Sequence, residues 1–270
     1  MLPACLQSIT SWVDEIFIVD SFSTDHTLAI AEQFNVKVFQ HAFDYFAAQR
    51  NWAQDCLPLR HEWILHLDAD ERVSPALRRE IENTFARPHS FDGFMVSRKT
   101  IFRNRWIRFG GHYPVYHLKL FKKTKGRSEQ RFYDQHFIVD GAVGFLRGDV
   151  DNIINPDIRE WKAQHAKAAV LEAREILFNK KRMMHEGFLK SPIARRNWLR
   201  YRLYYRLPLF VRCAIYFLYR MVFRVGFLDG AQGIRFHILH GFWYRLMVDY
   251  QVAVMQKGNN VYPWNQRVSS

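Results

Sequence analysis

Three stretches of this 270-residue chain carry side chains whose types and spacing could do chemistry. The first is Asp68-Ala69-Asp70, which follows the apolar run Glu62 to Leu67, EWILHL. If that run is a strand and stays extended through the acids, residues two apart share a face. Both carboxylates then converge on one cation, and oxygen-only ligands suit Mg²⁺ or Mn²⁺ bridging to a diphosphate. The second is Asp20-Ser21-Phe22-Ser23-Thr24-Asp25, behind the run Asp14 to Asp20, DEIFIVD. Asp20 could accept hydrogen bonds from a base or a ribose, and small hydroxyl residues such as Ser23 suit a loop close to a ligand. Thr24 and Asp25 also fit ordinary capping of the helix that follows. The third is Gly110-Gly111-His112-Tyr113-Pro114, whose glycines allow close backbone approach.

These residues need a frame. Short apolar runs at 14–20, 35–40 and 62–67 alternate with helical patterns at 27–34, 46–55 and 75–85. Further strands are expected at 93–99, 116–123 and 137–146, with Asp140-Gly141 looking like a hairpin turn. Ser74-Pro75 places a cap and a first-turn proline at the start of ALRREIENTF. Strands and helices alternating in this way imply an α/β sheet. Ligands in such sheets bind beyond the carboxyl ends of the strands, where both acidic motifs fall. From about 157 the pattern turns helical, which divides the chain into 1–156 and 157–270.

Composition narrows the class. The chain is 49 % hydrophobic and 24 % charged, which excludes disordered, collagen-like and coiled-coil chains. Three widely spaced cysteines, Cys5, Cys56 and Cys213, argue against a disulfide framework and fit a reducing compartment. The net charge of +13 is uneven: residues 1–100 carry −5 and residues 101–270 carry +18. Between 180 and 224 there are 12 basic residues and one acid, Glu186. The segment Leu207 to Leu228 is the most apolar, yet Arg212, Arg220 and Arg224 break it, so it does not read as a membrane span. Those arginines fall 8 and 4 residues apart, one stripe of a helix, and apolar side chains cover the rest. This reads as an amphipathic helix lying in an anionic membrane interface. The alternative is a helix packed on the core with a solvated arginine face.

Together, the motifs resemble the inverting family 2 glycosyltransferases of the GT-A fold. The likeness is to the branch of lipopolysaccharide-core heptose β-glucosyltransferases and related surface-polysaccharide enzymes. It rests on VDEIFIVDSFSTDHT (13–27), QRNWA (49–53), EWILHLDADERVSPAL (62–77), GGHYP with HLKLFKK (110–123) and GFLDGAQG (226–233). The resemblance implies a Rossmann-like, mostly parallel mixed sheet flanked by helices, with a C-terminal helical region that binds a membrane surface. It implies that Asp20 meets the base, that Asp68 meets the ribose or diphosphate, and that Asp70 ligates the metal. Arg50 becomes a diphosphate partner, since a guanidinium suits phosphate oxygens. An inverting transfer needs a general base after the D-x-D; Asp134 is preferred over Asp140. His112 stands where the branch suggests another aromatic. Trp161, His165 and Glu172 match the branch at a spacing that favours packing.

The resemblance further implies transfer of a hexose from a nucleoside diphosphate sugar, a UDP-sugar first, to a lipid-linked saccharide acceptor. The place implied is the inner face of the cytoplasmic membrane, reached from the cytoplasm and held peripherally. The family pattern also expects a strand ahead of residue 1, so a first strand is expected to be missing. Two other readings stand beside this one: an inactive truncated homologue, and a basic nucleic-acid-binding protein. The second lacks any zinc, homeodomain or RNA-sheet signature, so no nucleic-acid partner is expected.

Overall fold

The computed structural model describes residues 1–130, 135–154, 157–178 and 203–257. In chain order the first half runs α1 (Leu2–Gln7), β1 (Phe17–Asp20), α2 (Thr27–Gln33), β2 (Lys37–Gln40), α3 (Phe46–Cys56), β3 (Trp63–Leu65), β4 (Glu71–Val73) and α4 (Pro75–Phe85). Then follow β5 (Gly93–Phe102), β6 (Arg105–Ile107), β7 (Tyr116–Lys122), β8 (Gly126–Ser128), β9 (Phe137–Val139) and β10 (Val143–Ile153). Helices close the chain: α5 (Ile158–Phe178), α6 (Val211–Leu218), α7 (Gly230–Phe236) and α8 (Tyr244–Lys257).

The main sheet is ordered β3-β7-β5-β10-β4, with β6 paired to β5. It is mixed: β5 and β10 run parallel, while β7 is antiparallel to both β3 and β5. β1 and β2 form a separate parallel pair. Side chains of β10 alternate, with Leu146, Val150 and Asn152 buried and Phe145 exposed, as a strand with one face on the core requires. Leu77 and Ile81, four apart on α4, bury against this face with Val73, Phe94, Val96 and Leu120. Each such side chain is worth about 1.5–3 kcal/mol. At Gly148 a Cβ would stand 2.4 Å from the Leu77 Cα, so only glycine lets α4 lie this close to β10.

Several expected elements are present with revised edges. Ser74 caps α4 by accepting from Leu77 N at 3.2 Å, with Pro75 in the first turn. Asp25 accepts from Thr27 N at 3.0 Å at the start of α2. The expected strand 137–146 is two strands with different partners. β9 pairs with β8, and β10 pairs with β5 and β4, so Asp140-Gly141 is a crossover between sheets and not a hairpin.

The C-terminal helices form a second core, in which α5 packs on α8 through Trp161, Ala169, Ala173, Tyr244 and Val248. Trp161 stacks on His165 at 3.6 Å, and Glu172 accepts from Tyr244 Oη at 2.7 Å. These residues do pack, as their spacing suggested. This core is joined to the sheet where Phe236 meets Phe102 and Ile107.

A group of histidines fills the seam. His112 packs edge-on against Phe236 at 4.8 Å and lies 5.2 Å from His240, which stacks on Tyr244. His237, fully buried, sits 3.2 Å from the Asp229 carboxylate. Burial, and then Arg220, pushes His237 down to about 4 despite Asp229. Burial and the neighbouring cations hold His112 and His240 well below the ordinary imidazole value. The unfolded chain takes up protons on these rings below about pH 6.5, and the folded chain refuses them. Their contribution is therefore complete above that pH and is lost on acidification toward 4, at up to about 1.4 kcal/mol per pH unit for each ring. The melting temperature should fall steadily between pH 7 and pH 5. A flat profile over that range would show that these rings are protonated in the fold.

Candidate functional site

β3 ends at Leu65, earlier than expected, and the two acids do not continue it. Residues 68–71 form a tight turn in which Glu71 N donates to the Asp68 carbonyl at 2.9 Å. Glu71 reaches back, its Oε2 accepting from Asp68 N at 3.0 Å. The extended D-x-D is thus replaced by a turn, because Glu71 satisfies its first amide. Asp70 is held separately: Asn152 Nδ2 donates to its Oδ2 at 3.0 Å, and Ile153 N donates to its carbonyl at 2.9 Å.

Two cations converge on this turn. Arg50, from α3, donates to Asp68 Oδ1 at 2.9 Å, its guanidinium lying over the Phe137 ring at 5.3 Å. Lys119, in the middle of β7, pairs with the fully buried Glu71 and stands 3.6 Å from Asp68 Oδ2. Burial works to raise the Asp68 carboxyl, but Lys119 and Arg50 outweigh it and hold the group below the usual carboxylate range. Asp70 has no such partner. Burial, then Asp68 and Glu71, push its carboxyl up to about 6. Among the described residues Arg50 and Lys119 pair with Asp68 and Glu71, no ion pair reaches Asp70, and Asp70 carries the unmatched charge.

That imbalance is the fit for a divalent cation. A hard ion held by one or two carboxylates takes its other ligands from water and substrate phosphates. Among the described residues no cluster of three His, Cys, Asp or Glu side chains is arranged to hold a metal without such help. Asp70, with Asp68 beside it, is therefore the candidate ligand.

α3 connects this turn to the second motif. Gln49 Nε2 donates to Ser21 Oγ at 3.0 Å, while its neighbour Arg50 reaches the acidic turn. Asn51 faces the other way, exchanging hydrogen bonds with the backbone of Ser128 at 3.0 and 3.1 Å. Asp20 is buried at the end of β1, where its carboxylate accepts from Ser23 N and from Gln40 Nε2. Those bonds outweigh burial and keep it below the usual range. Ser23 therefore contributes its backbone amide to closing the 20–25 loop. Asp134 lies outside the described residues. Nearby His136 donates its backbone N–H to Glu129 at 3.2 Å.

The glycines of the 110–114 loop do serve a close approach. Gly110 has φ +65°, and a Cβ there would stand 2.2 Å from the His237 ring. The close approach is to the C-terminal helices, and His112 turns inward with it. Lys119 and Glu71 were not anticipated as site residues. The available signal was a lysine flanked by Leu118 and Leu120 in a strand buried on both faces, where an amine must find a carboxylate.

Several known proteins are similar to this chain. An uncharacterized glycosyltransferase of Rickettsia felis is 41 % identical over 92 residues, 34 % of this chain and 31 % of that protein. The match thus spans about a third of the length of that relative. A lipopolysaccharide core biosynthesis glycosyltransferase, LpsC of Rhizobium meliloti, is 28 % identical over 158 residues, 54 % of this chain and 55 % of that protein. Among solved structures, the mannosyltransferase PcManGT of Pyrobaculum calidifontis, in complex with GDP-Man and Mn²⁺, superposes with a TM-score of 0.48. Its identity is 14 %, and the overlap covers 96 % of this chain and 85 % of that one. The Glycosyl transferase family 2 profile matches residues 1–154, which hold both acidic motifs, Arg50 and Lys119 on a GT-A-like α/β fold. The chain belongs to glycosyl transferase family 2.

Proposed function

We propose that the protein transfers a hexose, with inversion, from a nucleoside diphosphate sugar to a lipid-linked saccharide acceptor. The observation that carries this reading is the acidic turn at 68–71, set between Arg50 and Lys119, in a chain of this family. UDP-sugars are the first donors to test. The Asp20–Ser23 loop is the place for the nucleoside, joined to the acidic turn by α3. Arg50 and Lys119, which neutralise Asp68 in the free protein, are the cations available to diphosphate oxygens. Asp70 would hold Mg²⁺ or Mn²⁺, whose charge would offset that of the departing diphosphate.

Asp134 is the proposed base. Its carboxylate takes the proton of the acceptor hydroxyl as that oxygen bonds to the anomeric carbon. The bond from that carbon to the diphosphate oxygen breaks on the opposite face, and the diphosphate leaves with the electron pair. Configuration inverts because attack and departure are on opposite faces. The family, and the naming of LpsC for lipopolysaccharide core biosynthesis, support an acceptor of that kind. Peripheral work on the inner face of the cytoplasmic membrane is part of the same proposal. Among the described residues no helix is long and apolar enough to cross a membrane.

A thermal-shift panel of UDP- and GDP-sugars, with and without Mn²⁺, tests the donor half. A ligand bound only by the folded state at a hundred times its Kd adds about 2.7 kcal/mol, a shift of several degrees. One donor should give that shift only with the cation. No shift with any donor would overturn the reading.

A further inference from the structure

Of the expected stripe of Arg212, Arg220 and Arg224, the first two face inward and only Arg224 is exposed. Arg212 and Arg220 are buried, at 2 % and 3 % exposure. Arg212 Nε donates to Asp249 Oδ1 at 2.7 Å, and Arg220 Nε donates to the Gly110 carbonyl at 2.9 Å. The apolar side chains therefore take the outside. Along α6 and the π-helical turn Tyr219–Phe223 that continues it, Ile215, Leu218 and Val222 recur at intervals of three and four on one exposed face. Phe223 is 78 % exposed, and Phe227 and Leu228 extend the ridge at 50 % each. So continuous an apolar ridge on the surface calls for an occupant.

Charge identifies it. Residues 203–257 contain two acids, Asp229 and Asp249, and both are buried. The exposed charges of this stretch are Arg206, Arg224, Arg235 and Lys257, all positive. A second copy docking on the ridge would bring arginines against arginines with no acid between them. An anionic lipid surface supplies both the apolar interior and the negative rim.

The ridge is also fastened to the sheet domain. Asp229 accepts from Arg108 N at 2.9 Å and Phe109 N at 3.1 Å, and Gly110 N donates to the Arg224 carbonyl at 2.9 Å. We propose that Ile215, Leu218, Val222, Phe223, Phe227 and Leu228 insert into an anionic bilayer interface, with Arg220 and Asp229 carrying the 108–113 loop on the inserted segment. This deepens the membrane part of the proposed function and rests on it, while its readouts need neither donor nor acceptor.

The test uses the full chain with vesicles of phosphatidylglycerol and phosphatidylethanolamine, against phosphatidylcholine alone. Co-sedimentation with the anionic vesicles is expected. Phe223→Asp, and Leu218→Asp with Val222→Asp, should each weaken it by about tenfold or more without moving the melting temperature. An environment-sensitive fluorophore on Phe223→Cys, in a Cys56→Ser background, should shift to the blue on binding. The same label on native Cys56, exposed at the end of α3, should not. Amide exchange at 108–110 should slow when vesicles bind. Binding unaffected by the aspartates, or a label at 56 that moves while one at 223 does not, would overturn the insertion. A dimer dissolved by Phe223→Asp would give the ridge to a second copy instead. Unchanged exchange at 108–110 would overturn the coupling to the loop. Donor-induced thermal shifts report separately on the catalytic reading.

Discussion

Asp70→Asn is expected to lower transfer by about a thousandfold or more, with little change in melting temperature. Among the described residues Asp70 is the one acid of the 68–71 turn without an ion pair, and its carboxyl is pushed up to about 6 by burial and by Asp68 and Glu71. An amide keeps the shape and can still accept from Asn152 Nδ2. It removes the charge that would hold a divalent ion, and with that ion the offset to the charge of a departing diphosphate. Removing one of three crowded acids costs the fold little. Asp68→Asn differs, because it leaves Arg50 without its partner at 2.9 Å and should affect stability as well as turnover. The check is a transfer assay over a Mn²⁺ titration, with melting curves alongside. Turnover within tenfold of the parent chain would remove Asp70 from the machinery.

The largest stability effect is expected at Asp249→Ala, a loss of about 3–5 kcal/mol. Asp249 is 1 % exposed and accepts from Arg212 Nε, from Phe210 N at 2.8 Å and from Cys213 Sγ at 3.1 Å. Deleting it strands a guanidinium between the Tyr204 and Tyr205 rings, 5.3 and 4.9 Å away, with no counter-charge. Replacing both partners by apolar residues, Arg212→Met with Asp249→Leu, should recover much of the loss, since the cost comes from the unpaired charge. Urea denaturation of the single and double variants measures this. A single-variant loss under about 1 kcal/mol would mean that Arg212 finds water or another acid.

Much of the site was legible because its signals are local. A run such as EWILHL ahead of paired acids, or Ser74-Pro75 ahead of a helical period, needs only neighbours in sequence. The parts that were not legible depend on residues far away. Asp68-Ala69-Asp70 reads as extended until Glu71 bends it, and Glu71 is held there by Lys119, 48 residues on. Helical periodicity groups Arg212, Arg220 and Arg224 but says nothing of which face outward. Asp249, 37 residues after Arg212, and the Gly110 carbonyl, 110 residues before Arg220, turn the first two inward. Asp140-Gly141 has hairpin chemistry, yet tertiary pairing sends its two strands to different sheets. His112 was read by its place in a motif, while its burial is decided by Phe236 and His240.

The seam between sheet and helices has a practical consequence. The amides of Arg108 and Phe109 end on Asp229, and Phe102 and Ile107 are roofed by Phe236. A chain cut after residue 156 would keep both acidic motifs but lose the acceptor for those amides and the cover for those side chains. Such a fragment should aggregate or melt early, and the intact chain should unfold in one transition across the seam. The apolar ridge is therefore no removable tail: trimming the helices to obtain a better-behaved fragment would dismantle the fold, whereas recolouring single ridge positions with aspartate would not.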